Sequence, residues 1–352
     1  MSVTEPARGN GETVLVTGGS GFLGSWCLVE LLRRGYRART TVRSLSREPE
    51  VRAMLGAEVD AGDRLSIVPA DLTADEGWQE AVAGCDYVLH VASPFPPAQP
   101  KDPDDLIVPA RDGTLRVLRA ALAAGAKRVV VTSSVAAVRN AGDAPSRQLT
   151  EEDWTDPSNP RLTPYSRSKT IAEQAAWDFV RDAGEAQRLT VVNPSAILGP
   201  VMANDLSYSL QAIQRMLNGM PGVPRLGFSF VDVRDLAALQ VTAMAAPEAA
   251  GERFVAAGPF HWLSEVAEIL KDRLGPAAHK VPRRTVPNVM VRAMALFDPG
   301  VRSVVGDLGQ EVAYSSDKAK SRLGWTERPF EETVVDTANS LIQHGAVAQQ
   351  AA

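Results

Sequence analysis

The stretch Thr13-Val14-Leu15-Val16-Thr17-Gly18-Gly19-Ser20-Gly21-Phe22-Leu23-Gly24 decides the fold of this chain. A β-branched, apolar run ends at Thr17, and an amphipathic helical pattern begins near Phe22. The glycines between them permit a tight turn and a close approach of backbone to a ligand. A helix that begins there presents unpaired N–H groups and its positive dipole end. The stretch therefore predicts a strand–turn–helix unit that binds the pyrophosphate of a dinucleotide.

The same alternation of short apolar runs and longer amphipathic runs continues to residue 193. Strands are predicted at Thr13–Thr17, Arg37–Val42, Leu65–Pro69, Tyr87–Val91, Arg128–Thr132 and Leu189–Asn193, and helices at Phe22–Arg34, Asp75–Ala83, Asp104–Ala124 and Pro164–Ala183. The strand runs are rich in Val, Ile and Leu without strict alternation, as parallel strands that are covered on both faces require. This rhythm predicts the α/β class, with a Rossmann-type doubly wound parallel sheet.

The rhythm loosens after residue 200, which predicts a second, smaller C-terminal lobe for substrate binding. We expect residues 13–200 to form the nucleotide-binding domain, with 228–257 returning to it. The lobe then comprises 201–227 and 258–345, with helices over Leu263–Leu274, Asn288–Leu296 and Glu331–Gln343. Residues 1–12 and 346–352 are expected to be tails, the first of them flexible. Such a lobe would cover the carboxyl edge of the strands, where open α/β sheets bind ligands.

Composition excludes several classes of protein. The 352 residues carry a net charge of −5, which argues against a surface for nucleic acid or for an anionic membrane. The first twelve residues lack an apolar core of the signal-peptide kind, and no apolar run could cross a bilayer. The two cysteines suit a reducing compartment, and four scattered histidines have no metal-ligand spacing. We expect a cytoplasmic protein without a metal site.

The end of the second predicted strand indicates which dinucleotide binds. Proteins that prefer NAD place Asp or Glu about 20 residues past the glycine turn, on the ribose hydroxyls. Here that position reads Thr40-Thr41-Val42-Arg43-Ser44. The guanidinium of Arg43, with Arg47 nearby, can pair with a 2′-phosphate through charge-assisted hydrogen bonds. The sequence therefore favours NADP(H).

Three residues form a candidate catalytic set. Tyr165 and Lys169 are four residues apart on one face of a predicted helix, and Ser134 lies at the carboxyl end of the predicted strand Arg128–Thr132. A free tyrosine has a pKa of about 10, and a nearby ammonium and nicotinamide would lower it. The set suits hydride transfer to a carbonyl carbon. Tyr165 would protonate the oxygen, Ser134 would orient the carbonyl, and Lys169 would bind the ribose.

These motifs resemble the extended short-chain dehydrogenase/reductase family, in its branch of dihydroflavonol, cinnamoyl-CoA and aldehyde or methylglyoxal reductases. The resemblance rests on 17–26, 41–43, 70–72, 89–94, 132–134, 165–169, 172–177, 193–194, 230–236 and 323–325. It implies that Gly18, Ser20, Gly21, Phe22, Leu23 and Gly24 hold the pyrophosphate. It further implies Arg43 at the adenosine phosphate, Asp71 and Leu72 at the adenine, Ala92 and Ser93 at the ribose, and Pro194 at the nicotinamide.

Two departures from the branch narrow the expected substrate. The segment Arg161-Leu-Thr-Pro-Tyr165 lacks the Asn-Trp-Tyr-Cys-Tyr block of plant cinnamoyl-CoA reductases. Arg139 stands where flavonoid reductases carry asparagine. The resemblance therefore implies the broader pattern of the family, reduction of an aldehyde or ketone to an alcohol, rather than a CoA thioester or a plant flavonoid as substrate. Phe95, Arg139, Met202 and Tyr208 are candidate substrate contacts.

The same motifs are compatible with other functions. An NAD-dependent nucleotide-sugar epimerase or dehydratase uses the same scaffold, but it usually carries an acid where Arg43 stands. A hydroxysteroid dehydrogenase is a close relative of the favoured reductase. An NADP-binding regulatory sensor would keep the glycine turn without the Tyr-x-x-x-Lys set. The sequence does not distinguish a monomer from a homodimer.

Overall fold

A seven-stranded parallel sheet organises the molecule in the computed structural model, which describes residues 8–94, 102–142, 145–203, 208–297 and 299–347. Its strands are β1 (Thr13–Thr17), β2 (Arg37–Val42), β3 (Leu65–Pro69), β4 (Tyr87–His90), β5 (Arg128–Thr132), β6 (Leu189–Pro194) and β10 (Arg253–Ala256). They lie in the order β10-β6-β5-β4-β1-β2-β3, and every pairing is parallel. The order 3-2-1-4-5-6 is that of the Rossmann fold, which confirms the predicted fold class.

Helices cover both faces of this sheet. On one face lie α1 (Phe22–Arg33), α2 (Glu48–Gly56), α7 (Val233–Ala245) and α11 (Asp317–Leu323), and on the other α3 (Trp78–Val82), α4 (Asp104–Ala123) and α5 (Pro164–Asp182). Alternate residues of β1 show the division, because Val14 and Val16 belong to the first core and Leu15 to the second. β1, β4, β5, β6 and β10 are therefore covered on both faces, whereas β2 and the edge strand β3 carry exposed residues.

Helix α2 was not anticipated from the sequence. Its nine residues, Glu-Pro-Glu-Val-Arg-Ala-Met-Leu-Gly, are highly charged at the start and carry a proline in the first turn. Val51, Met54 and Leu55 are nevertheless buried against the first core, at the i, i+3, i+4 spacing of a helix face. A proline at the start of a helix is compatible with it. The spacing of Val51, Met54 and Leu55 was therefore the signal in the sequence that indicates this helix.

A smaller lobe stands at the carboxyl edge of the large sheet. It contains β7 (Ala196–Leu198), α6 (Tyr208–Leu217), β8 (Val223–Pro224), β9 (Gly227–Asp232), β11 (Phe260–Trp262), α8 (Leu263–Leu274), β12 (Thr285–Val286), α9 (Asn288–Met294), α10 (Pro299–Val304) and α12 (Phe330–Gln343). These elements share a third hydrophobic core. None of the helices in the described ranges is long and apolar enough to span a bilayer.

The expected return of 228–257 to the large sheet is only partly realised. Strand β10 pairs with β6, and α7 packs on the sheet, as expected. Strand β9 instead lies in a separate three-stranded sheet, parallel to β7 and antiparallel to β11. The reason is the proximity of β7, which begins two residues after β6 ends and turns away from the large sheet to offer β9 a free edge.

The two predicted tails are shorter than expected. The backbone N–H of Gly9 donates to the carbonyl of Arg34, and Gly9 packs closely on Tyr36. At the other end, Ala346 and Val347 are buried in the core of the lobe. Residues 1–7 and 348–352 lie outside the described residues. Both ends of the described chain are therefore held by packing against the body.

Candidate active site

The glycine turn is as tight as its sequence predicts. Gly18 has a φ of 73°, in the left-handed region that favours glycine. A Cβ atom at Gly24 would lie 2.2 Å from the carbonyl oxygen of Gly18, and one at Gly18 would lie 3.0 Å from Cβ of Ala92. The first turn of α1 has no acidic residue, and Gly21 offers it no side-chain cap. The helix N-terminus thus remains available to an anionic group of a ligand.

The residues assigned to the adenosine end lie together along one wall of a single large cleft. Arg43, exposed, follows directly after β2, and Asp71 and Leu72 follow β3. Hydrogen bonds from Thr73 hold the pKa of the Asp71 carboxyl below its usual range, with a smaller contribution from Arg43. Arg47 donates to the hydroxyl of Ser20 at 3.1 Å, which links this wall to the glycine turn.

Ser134, Tyr165 and Lys169 meet at the carboxyl end of β5. Thr163 caps α5 by accepting the N–H of Ser166, so that Tyr165 lies in the first helical turn. The hydroxyl groups of Tyr165 and Ser134 hydrogen-bond to each other. Lys169 is buried, and its ammonium makes a long hydrogen bond of 3.4 Å to the carbonyl of Thr132. All three side chains line the cleft that contains the glycine turn.

Burial controls the protonation of this set. It raises the pKa of the Tyr165 phenol, and the hydrogen bond with Ser134 only opposes that rise. The sequence predicts a lowering by a nearby ammonium and the nicotinamide, whereas burial of the phenol acts in the opposite direction and outweighs the hydrogen bond with Ser134. Burial lowers the pKa of Lys169 to about 8, against the effect of the Glu173 carboxylate. Tyr165 is therefore protonated at neutral pH, as a proton donor must be.

A buried network below the set ties its elements together. The carboxylate of Glu173 accepts hydrogen bonds from Asn193 at 2.7 Å and from Arg253 at 2.6 Å. The amide of Asn193 also donates to the carbonyl of Ser134 at 3.2 Å. Arg253 stacks 3.6 Å from the ring centre of Trp154. One ion pair and the hydrogen bonds of Asn193 thus connect α5, β6 and β10 with Ser134, just past the end of β5.

The predicted cofactor residues converge on one cavity of about 1950 Å³. Its lining includes Gly18, Ser20, Gly21, Phe22, Leu23, Gly24, Arg43, Asp71, Leu72, Ala92, Ser93, Ser134, Tyr165, Lys169 and Pro194. The hydroxyls of Ser133 and Ser195 are buried at this cavity without a hydrogen-bond partner in the part of the chain that the structure describes. Such hydroxyls usually bond to a ligand or an ordered water.

The four candidate substrate contacts have different positions. Arg139 lines the cavity, where it pairs with Asp307 at 3.0 Å and donates to Gln310 at 2.6 Å. Met202 does not reach the cavity, because it packs against the core behind the glycine turn. Tyr208 begins α6, and its side chain is not among those described. Phe95 lies outside the described residues.

Several lining residues of the lobe were not anticipated. Tyr314 is among them, and burial raises the pKa of its phenol to about 12. Asp307 and Gln310 were missed because their partner Arg139 is about 170 positions away along the chain. The apolar wall comprises Met216, Met220, Pro221, Pro224, Leu226, Phe228, Phe230, Val286, Met290, Val291 and Met294. Apolar spacing alone does not distinguish such a wall from ordinary core.

The strand order and the glycine turn define a protein of the Rossmann class. Residues 14–257 match the model of the NAD dependent epimerase/dehydratase family. The chain is 36% identical to cinnamoyl-CoA reductase 1 of Arabidopsis thaliana over 77% of this chain and 76% of that enzyme. It is 33% identical to an anthocyanidin reductase of Vitis vinifera over 77% and 83%, respectively.

Solved structures agree with these sequence matches. The yeast methylglyoxal/isovaleraldehyde reductase Gre2, crystallised with NADPH, superposes with a TM-score of 0.79 at 25% identity, over 95% of this chain and all of that one. Gre2 of Candida albicans, also with NADPH, gives 0.77 at 26% identity over 95% and 99%. The chain belongs to the NAD dependent epimerase/dehydratase family, in the extended branch of the short-chain dehydrogenases/reductases.

Proposed function

We propose that this protein is an NADP(H)-dependent reductase that converts an aldehyde or ketone to an alcohol. The observation that carries the proposal is the hydrogen-bonded pair of Ser134 and Tyr165 beside the buried Lys169, in the same cleft as the glycine turn. Reductases among its relatives act on carbonyl compounds, including methylglyoxal and isovaleraldehyde in the case of Gre2. The small-molecule substrate of this protein is accordingly a carbonyl compound as well.

The cofactor is NADP(H). The glycine turn is too tight for a side chain at Gly24, and the N-terminus of α1 has no side-chain cap, so its N–H groups can bind a pyrophosphate. At the adenosine end, Arg43 supplies positive charge after β2, where an NAD-binding protein usually carries an acid, and Arg47, which pairs with Glu50 at 2.9 Å, lines the same wall. When bound, the reduced nicotinamide supplies a hydride to the carbonyl carbon of the substrate. Ala92, Ser93 and Pro194 line the path between these two ends of the cleft.

The protein's own residues complete the reaction. Ser134 donates a hydrogen bond to the carbonyl oxygen and holds it beside Tyr165. The Tyr165 hydroxyl then gives its proton to that oxygen as the hydride arrives, which leaves an alcohol and a phenolate. Lys169, whose pKa of about 8 keeps it largely charged at pH 7, stabilises the phenolate and binds the ribose hydroxyls. The apolar wall excludes water around the reacting carbon.

The test is oxidation of NADPH by the purified protein with aromatic aldehydes, aliphatic aldehydes, ketoesters and diketones, with NADH in parallel. We expect turnover with at least one class and a preference for NADPH. Tyr165→Phe should lower turnover by roughly 10²–10⁴-fold and leave the Kd for NADPH unchanged. Tyr87→Phe, at a tyrosine outside the cleft, is the matched control. A clear NADH preference would contradict the role of Arg43 and favour a nucleotide-sugar substrate.

We also propose that the protein works in the cytoplasm. Both cysteines, Cys27 and Cys85, are buried free thiols. Unpaired, unexposed thiols are typical of proteins that fold in a reducing compartment. Fractionation of the producing cells, followed by immunodetection of the protein, would test this placement.

A further inference from the structure

The cleft carries an excess of positive charge, and the proposed reductase chemistry uses only part of it. Seven arginines and Lys169 line the cleft, against the two acids Asp71 and Asp307, among the described residues. This excess is notable because the whole chain has a net charge of −5. Arg43 and Arg47 belong to the adenosine end. The remaining five arginines lie on the walls around the substrate cavity.

Two of these five arginines are already engaged. Arg139 pairs with Asp307 at 3.0 Å, so its charge is balanced within the protein. Arg302 donates hydrogen bonds to the carbonyls of Ala295 and Leu296, just past the end of α9. Arg161, Arg215 and Arg284 differ from them, because none of the three pairs with an acid within the described ranges. All three are exposed to solvent at the cleft.

Arg215 and Arg284 belong to different elements but flank the same short loop. The carbonyl of Arg215, on α6, accepts the N–H of Met220, and the carbonyl of Arg284 accepts the N–H of Val223. The loop between these bonds also lines the cleft, with Met220 and Pro221. Arg215 and Arg284 therefore stand at the two ends of one loop of the lobe, and both line the cleft beside the apolar wall.

Arg161 adds a charge from the Rossmann body. It precedes Tyr165 by four residues and extends over Gly142, since a Cβ atom built there would lie 2.6 Å from its Nη1. Both Gly142 and Arg161 line the cleft. The cleft that contains Tyr165 is thus lined by arginines of both the Rossmann body and the lobe. Arginine binds carboxylate and phosphate oxygens through paired N–H groups.

We propose that the physiological substrate is a carbonyl compound with an apolar body and a distal anionic group, which Arg215 and Arg284 bind at the rim of the cleft. This inference rests on the proposed reductase function and specifies its substrate class. The anion is a carboxylate or a phosphate, since a guanidinium recognises both. The carbonyl lies at Tyr165, the apolar body lies along the methionine and proline wall, and the anion remains near solvent.

The experiment compares three aldehydes that differ only at the position opposite the aldehyde: 4-carboxybenzaldehyde, 4-formylphenyl phosphate and the neutral methyl 4-formylbenzoate. We expect one of the anions to have a kcat/KM roughly tenfold above that of the ester, mainly through KM, and to lose the advantage at high salt. The better of the two anions identifies the group. Arg215→Gln and Arg284→Gln should each reduce the advantage and leave the ester unaffected.

Arg273→Gln is the matched control, because it removes one exposed arginine of α8 that pairs with Glu331 outside the cleft. Equal kcat/KM for the ester and both anions, or an anion preference that survives in both rim variants, would overturn the inference and leave the reductase proposal intact. A binding experiment covers the reverse case, in which the rim site exists but the protein is not a reductase. It compares the affinities of 4-(hydroxymethyl)benzoate and its methyl ester for the NADPH complex, measured by cofactor fluorescence. Preferential binding of the acid without any turnover would support the rim site and refute the reductase.

Discussion

Lys169→Met should make the protein more stable at neutral pH while it abolishes activity. The folded protein holds the Lys169 ammonium in a buried position where its pKa is about 8, against 10.5 for an ordinary lysine. A difference of 2.5 pKa units corresponds to about 3 kcal/mol of unfavourable free energy for keeping this charge buried at pH 7. The variant loses the 3.4 Å hydrogen bond to Thr132, worth about 1 kcal/mol. The net gain is about 2 kcal/mol.

The gain should depend on pH in a defined direction. Because the folded pKa lies below the unfolded one, the unfolded chain binds more protons between pH 8 and 10.5, and the stability of the wild type rises across that window. Methionine does not titrate. The advantage of Lys169→Met should therefore be full at pH 7, decline through the window and disappear above pH 10.5.

Thermal and urea unfolding of both proteins without added cofactor, at pH 7 and pH 10.5, measures this difference. We expect an unfolding midpoint roughly 2–4 °C higher for the variant at pH 7. Lys127→Met is the control, because Asp86 raises the pKa of that exposed lysine and its removal brings no gain at pH 7. A variant that is less stable than the wild type at pH 7, or a gain that is equal at both pH values, would refute the reasoning.

Three further substitutions test other parts of the site. Arg43→Ala should weaken NADPH binding roughly 10–100-fold and leave NADH binding unchanged, measured by cofactor fluorescence, since it removes a charge-assisted contact to the 2′-phosphate. Gly24→Ala should cost about 1–3 kcal/mol of stability and impair cofactor binding, because its Cβ would lie 2.2 Å from the Gly18 carbonyl; unchanged urea unfolding would contradict the tight turn. Glu173→Gln should lower the free energy of unfolding by about 3 kcal/mol, because it leaves Arg253 buried without its counter-charge. Because the Glu173 carboxylate raises the pKa of Lys169, the same variant should move the alkaline limb of the kcat/KM profile to lower pH.

The large sheet could be predicted from the sequence because most of its strands are apolar runs buried on both faces. β1, β2, β3 and β5 have the same bounds in the structure as in the prediction, and β4 and β6 differ by one residue at one end. A continuous apolar run bounded by turn residues is a strong local signal. The glycine turn was equally visible, because only glycine tolerates the approach of Gly24 to Gly18.

The lobe could not be predicted in the same way. β7 and β11 have three residues each, and β8 and β12 have two, which is too short for a periodic pattern. The contact of Arg139 with Asp307 joins positions that only the folded chain brings together. The same holds for the Glu173–Arg253 ion pair. The pKa of Tyr165 also depends on how completely the folded protein removes water from the phenol, which no sequence motif states.

The position of β10 has a consequence for biosynthesis. This strand completes one end of the large sheet by pairing with β6, and Arg253 lies beside Val191, 62 residues earlier in the chain. At a synthesis rate of about 5–20 residues per second, β6 leaves the ribosome roughly 3–12 s before its partner. During that interval the nascent chain presents an apolar strand with an open edge, which is a site for pairing with other chains. Slow translation between these strands should therefore lower the yield of soluble protein, and a chaperone that covers the open edge should restore it.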